Sequence, residues 1–140
     1  MQNNTSYGVV LGLDVGDARI GVARAHTLAR LPEPLEVIDR TKIDPLLRLQ
    51  SLVKEHDVKA LIVGLPLLKS GQEGPQATAV RAFAAQLAVA CTLPQYFVDE
   101  SFTSVEADTH KRSKQWQGEA YNDALAACLI LERYFTEVLA

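Results

Sequence analysis

Four acidic residues carry most of the chemical information in this chain: Asp14, the neighbours Asp99 and Glu100, and Asp123. Asp14 ends the apolar run that begins at Gly8, and an acid placed there is costly unless it has a partner. Asp99 and Glu100 close a second short run from Tyr96. Asp123 heads a helical stripe with Ala127, Ile130 and Tyr134, at spacings of four, three and four. Carboxylates gathered without compensating arginines repel one another, and the standing physical reason to tolerate such a cluster is a divalent cation. Oxygen ligands of this kind suit Mg²⁺ or Mn²⁺, which keep waters and meet phosphate oxygens. Two such ions can activate water on one side of a phosphodiester and stabilise the leaving oxygen on the other.

Taken singly, the acids also have plainer readings. An acid in the first turn of a helix complements the helix dipole, which would account for Asp123. Asp99-Glu100 also reads as a solvated strand end. Asp14 is the hardest to dismiss. His26, His56 and His110 are scattered without metal-ligand spacing and read as surface or strand-end residues. Gly12-Leu-Asp14-Val-Gly16 admits another interpretation, because Asp-x-Gly at a strand–turn–strand also opens the nucleotide-binding domains of actin-like ATPases and sugar kinases. Those proteins need two such domains and far more chain than 140 residues. Neither a GxxxxGK[ST] loop nor a GxGxxG fingerprint is present.

The elements that must position these acids follow from periodicity and punctuation. Gly8–Asp14 reads as a buried strand, Val15–Arg19 as a turn, and Ile20–Ala25 as the second arm of a hairpin. Leu35–Asp39 supplies a third strand after Pro32 and Pro34. Asp44 caps a helix with Pro45 in its first turn, and Leu46, Leu49, Leu52 and Val53 give that helix an apolar stripe to about His56. Val58–Gly64 is nearly all apolar, as in a strand buried on both faces. Gln76–Cys91 is a long Ala-rich helix and Tyr96–Asp99 a fifth strand. Thr103–Glu106 has capping-box spacing and predicts another helix. Lys111–Gly118 reads as a loop. Ala120–Val138 closes the chain as a helix, apolar on more than one side from Ala124 to Leu131. The order β-β-β-α-β-α-β-α-α predicts an α/β fold: a mixed five-stranded sheet, a three-strand meander followed by βα units, with helices on both faces. With strands one, four and five parallel, Asp14 and Glu100 emerge at one edge, where ligands of open α/β sheets gather.

Composition bounds the rest. The 140 residues suit a single domain spanning 1–140, and 48% hydrophobic with 22% charged residues is the mix of an ordinary globular protein. Fourteen basic residues against seventeen acidic ones leave a net charge of −3, so any grip on nucleic acid must come from local placement. Arg19, Lys69, Lys111, Arg112 and Lys114 are the candidate phosphate contacts, each equally explained as a solvated surface charge. Cys91 and Cys128 sit in helical text as small buried thiols, which suits a reducing cytoplasm. Met1–Ser6 lacks the pattern of a signal peptide. No apolar run approaches the ~20 residues that cross a bilayer.

Four ordered blocks of this sequence resemble the YqgF/RuvX family of bacterial, Holliday-junction resolvase-like proteins. The blocks are Gly12-Leu-Asp14-Val-Gly16-Asp-Ala-Arg19-Ile-Gly21-Val-Ala23; Val63-Gly64-Leu65-Pro66-Leu67 with Gly71, Gly74-Pro75 and Arg81-x-Phe83; Asp99-Glu100-Ser-Phe-Thr103-Ser104; and Asp123-Ala-Leu-Ala126-Ala127 with Ile130-Leu131. The resemblance covers nearly the whole chain. It implies an RNase H-like fold and a metal-dependent nuclease site, with Asp14, Glu100 and Asp123 as catalytic residues and ligands of Mg²⁺ or Mn²⁺. The role usually assigned to the family is maturation of the 5′ end of pre-16S ribosomal RNA, with ribosomal assembly particles as further partners. Branched DNA is the alternative substrate, and a non-catalytic RNA-binding module is the alternative of another class. One departure matters: the family's arginine after the Asp-Glu pair is Ser101 here, and its second threonine is Ser104.

If Ser101 is a weakened phosphate contact, Ser101→Arg should tighten RNA binding by about 1.5–3 kcal/mol at most, the scale of a charge-assisted hydrogen bond. It should leave Mn²⁺ affinity no higher, because an added cation opposes a divalent ion. Titrations of RNA and of Mn²⁺ check both halves, and an unchanged RNA affinity with unchanged salt dependence would place residue 101 away from the substrate.

Overall fold

The first hairpin of the chain sets the frame for everything that packs on it. In the computed structural model, which describes residues 7–100 and 118–139, β1 (Val9–Val15) and β2 (Arg19–His26) pair antiparallel. The register runs from Val9 opposite His26 to Val15 opposite Ile20 and puts Asp14 across from Gly21. Gly16 N–H donates to the Arg19 carbonyl at 2.9 Å and closes the turn. β3 (Glu33–Asp39) continues the meander, antiparallel to β2. The chain then runs through α1 (Pro45–His56), β4 (Val58–Leu65), α2 (Pro75–Ala90), β5 (Gln95–Asp99) and α3 (Gly118–Glu137). The strand order is β3-β2-β1-β4-β5, with β4 parallel to both β1 and β5. The predicted mixed sheet and its parallel strands one, four and five are as expected. The helix predicted from Thr103 lies outside the described residues.

Three boundaries differ for identifiable reasons. β3 begins at Glu33 and takes Pro34 into the strand. It is an edge strand, where a missing N–H is tolerated, and the pairing register shifts between Val22 and Ala23, beside Pro34. β2 starts at Arg19, which pairs with Asp39 and so belongs to the ladder rather than to the turn. The last helix begins at Gly118, which moves Asp123 from the expected first turn into the second. A dipole-complementing role fades beyond the first turn, so that explanation of Asp123 loses its footing.

Side-chain alternation divides the core into two layers. Leu11, Leu13, Val22, Leu61 and Val63 face α1 and α2, where Leu49, Leu52, Val80, Phe83 and Leu87 are buried. Val10, Ala23, Ala60, Ile62 and Val98 face α3. Every residue of α3 from Ala124 to Leu131 is buried, matching its expected all-round apolarity. Asp44 caps α1 by accepting from Leu46 N–H at 2.9 Å, with Pro45 next in the first turn. A forked pair, Arg48 to both oxygens of Glu36 at 2.7 and 2.6 Å, ties that helix to the edge strand. Cys91 and Cys128 are free and buried, and burial pushes the Cys128 thiol up to about 12.

The α3 face of the sheet is unusually small in side chains, and three positions on it, Gly12, Gly21 and Gly64, have no side chain at all. A Cβ on Gly21 would collide with the backbone carbonyl of Asp123, and one on Gly64 would meet Ile130 and, at 2.6 Å, a Glu100 carboxyl oxygen. Helix backbone therefore lies directly on strand backbone. Gly21→Ala should destabilise the chain by about 1–3 kcal/mol, since a carbonyl cannot swing aside as a side chain can. Denaturant unfolding measures this, and wild-type stability would mean that α3 rides outward without cost.

Candidate active site

The carboxyl ends of β1, β4 and β5 lie side by side, and the acids found there come from those ends. Asp14 is the sixth residue of β1 and shares the α3 face with Val10 and Gly12 by alternation. Glu100 follows β5, and its N–H donates to the Leu65 carbonyl at 3.3 Å, extending the ladder one residue past Asp99. That extension keeps Glu100 on the same face as Val98, above Gly64. Asp123 arrives from α3, its carbonyl seated on Gly21, the residue opposite Asp14. Asp14 and Glu100 are thus brought into contact, and Asp123 stands near enough for its charge to act on Asp14.

Their electrostatics separate them into a pair and a satellite. The Asp14 and Glu100 carboxyls hydrogen-bond to each other. Burial, the Asp14 charge beside it and that hydrogen bond push Glu100 up to about 10, with Asp99 adding to the effect. Asp14 is raised as well, first by burial and further by the nearby Asp123 charge, while the hydrogen bond from Glu100 pulls it back. The pair therefore holds a proton between its carboxyls, with the stronger upward shift on Glu100. Asp123 is held otherwise: Arg19 Nε donates to its Oδ2 at 2.5 Å. Among the described residues no three acidic, histidine or cysteine side chains stand in a metal-holding group. The half-buried Asp14–Glu100 pair is nonetheless a donor set fitted to a hard divalent cation. It offers only carboxyl oxygens, and it keeps a proton where a cation would relieve the same repulsion.

A cleft of about 230 Å³ opens beside the pair. Asp14, Glu100, Asp17, Pro66, Gln76 and Arg40 are among its walls. Gln76 stands in the first turn of α2, whose Gly74 cap offers no side-chain hydrogen bond. Of the expected phosphate contacts, Arg19 is engaged by Asp123, and Lys69 is exposed in the turn closed by Gly71 N–H on the Leu68 carbonyl, outside the cleft walls. Lys111, Arg112 and Lys114, together with Ser101 and Ser104, lie outside the described residues. His26 and His56 are away from the cleft walls. Arg40 was missed by sequence reasoning. Its signal was topological: in a three-strand meander β3 runs parallel to β1, so the residue after Asp39 surfaces at the same edge as Asp14.

Sheet order, flanking helices and acids at the strand ends together define an RNase H-like α/β fold. RuvC from T. thermophilus in complex with Holliday junction substrate superposes with a TM-score of 0.60 at 17% identity, covering 94% of this chain and 97% of that one. A second Thermus thermophilus RuvC structure gives a TM-score of 0.53 at 15% identity, over 91% and 95% of the two chains. The profile of RuvX, described as Holliday junction resolvase, matches residues 8–137, and the chain belongs to this nuclease family. Proteins named "Putative pre-16S rRNA nuclease" are 40% identical in Crocosphaera subtropica, over 91% of this chain and 92% of that protein. The one in Roseiflexus sp. is 39% identical, over 91% and 93%. That of Nocardioides sp. is 41% identical, over 89% and 85%. Among the described residues no helix is long and apolar enough to cross a membrane.

The protonated pair makes stability depend on pH in a definite direction. Between the ordinary glutamate value of 4.5 and about 10, the folded chain holds a Glu100 proton that the unfolded chain releases. Stability is therefore lost as pH rises through that window. Glu100→Gln removes the conflict, so without divalent metal it should melt above the wild type near neutral pH. The gap should close as the medium is acidified below the ordinary glutamate value. Melting curves across pH check this, and a lower melting temperature for Glu100→Gln at neutral pH would show that the pair is not protonated.

Proposed function

We propose that this chain is a metal-dependent endonuclease that cleaves a phosphodiester in structured RNA, at the 5′ side of the 16S ribosomal RNA precursor. The observation that carries the reading is the half-buried, hydrogen-bonded Asp14–Glu100 pair facing an open cleft at the carboxyl edge of the sheet. Its support on substrate is the naming of relatives about 40% identical over nearly their full length. Asp14, Glu100 and Asp123 would hold Mg²⁺ or Mn²⁺. When bound, the cation supplies electrophilic activation of the phosphate and of the attacking water.

The chain's own groups do the rest. Asp14 and Glu100 would hold the cation as carboxylates, with the proton they share released to solvent. Arg19 orients the Asp123 carboxylate at the edge of the site. Burial of the pair strengthens every charge interaction made there. Lys69, Lys111, Arg112 and Lys114, with Arg19, would follow the phosphates outside the cleft. The proposed setting is the cytoplasm, in contact with ribosomal assembly particles. Branched DNA is the second substrate to consider, because the matching family is described as Holliday junction resolvase.

Cleavage of labelled precursor rRNA and of a four-way DNA junction, side by side and with and without Mn²⁺, tests the reading. RNA should be cut only with metal, and Asp14→Asn should abolish cleavage while the fold persists. Near-normal turnover by folded Asp14→Asn would remove the pair from catalysis. Failure of the wild-type chain to bind Mn²⁺ or to cut either substrate would reduce it to a binding module.

A further inference from the structure

One guanidinium in the cleft wall is built into place without a carboxylate. Arg40 lies just past the end of β3, its N–H donating to the Ala18 carbonyl at 2.8 Å. Its Nη1 donates to the Gly16 carbonyl at 2.6 Å, two residues beyond Asp14. Its guanidinium carbon stands 5.0 Å from the centre of the buried Phe83 ring of α2. Elsewhere Arg19, Arg48 and Arg81 are neutralised by Asp123, Glu36 and Glu73, whereas Arg30, outside the cleft walls, donates to the Thr27 and Leu139 carbonyls and lies over the Phe135 ring. Among the described residues Arg40 makes no such pair, although Asp17 lines the same cleft.

The way Arg40 is held leaves its charge available. A carbonyl and an aromatic face fix a guanidinium without cancelling its charge. A guanidinium has five N–H donors in a rigid fork, and the Gly16 carbonyl occupies one. The remaining edge matches two oxygens of a phosphate. The location matters as much as the geometry. The cleft is acidic, with Asp14, Glu100 and Asp17 among its walls, and would repel a polyanion without a fixed cation.

We infer that Arg40 is a substrate-binding residue of this site, holding nonbridging phosphate oxygens of an RNA strand in the cleft beside Asp14 and Glu100. The inference takes its location from the nuclease reading above, but its test reads binding rather than cleavage. The probe is a fluorescently labelled RNA hairpin carrying the 5′ junction of the rRNA precursor, titrated in EDTA so that no strand is cut. Arg40→Gln should weaken binding roughly tenfold, the scale of a lost charge-assisted contact. It should also reduce the slope of log affinity against log salt by about one. Arg40→Lys keeps the charge but not the fork, and should retain the slope with an affinity between the two.

Melting curves establish that each variant is folded. Should Arg40→Gln fail to fold, Arg40→Lys decides, and wild-type affinity in that variant overturns the inference. Wild-type affinity and slope in folded Arg40→Gln overturn it as well. So does absence of RNA binding by the wild-type chain, or a loss seen only with a four-way DNA junction. If Arg40→Gln loses RNA binding but the wild-type chain cuts nothing in Mn²⁺, Arg40 stands and the nuclease reading falls. If the wild type cuts and Arg40→Gln binds equally well, Arg40 falls alone.

Discussion

The carbonyl of Asp123 occupies the space where any residue other than glycine at position 21 would place its Cβ. That contact between helix and strand backbones sets the height of α3 above the sheet. It also determines where Asp123 stands, because Gly21 is the residue paired with Asp14. Gly64 performs the same service for Ile130 and Glu100 on the other side of β1. With larger residues at these two positions α3 would ride outward, and its carboxylate would leave the edge where the other two meet. The glycines of the strands thus position acids that they do not contain.

A second constraint follows from the first. Bringing acids together under a buried helix face is electrostatically unfavourable, and the fold meets this with two devices. Asp14 and Glu100 share a proton, so their half-buried pair carries less charge than its composition suggests. Asp123 is neutralised by Arg19, which projects from the first residue of β2. Both devices reside in the carboxyl edge rather than in the hydrophobic layers behind it. The layers themselves are conventional, with Leu, Ile and Val dominating the α1–α2 side and Ala, Gly and α3 filling the other.

Much of this was legible from residue types alone. Periodicity, a capped proline helix start and apolar runs located every described element to within a few residues, because those signals are local. Asp14 announced itself, since an acid at the end of an apolar strand has no inexpensive local explanation. The order of elements then implied the parallel strands that carry Asp14 and Glu100 to one edge.

Other features depended on contacts between distant segments. The protonation of Glu100 arises from burial and from Asp14, 86 positions earlier in the chain, and no local pattern contains that. Arg19 reads in sequence as a turn cation free for phosphate; only α3, returning over β2, supplies the carboxylate that engages it. Arg40 reads as one more charge after a strand, and it became part of the cleft because β3 runs parallel to β1 and Phe83 of α2 lies beneath it. By itself the sequence determined the elements, the two-layer pattern and the identity of the acids, all of which rest on short-range periodicity and the cost of misplaced polarity. Tertiary structure alone decided which charges are paired, which hold a proton and which remain available. Those properties depend on distance and dielectric, and both are set only when the helices close on the sheet.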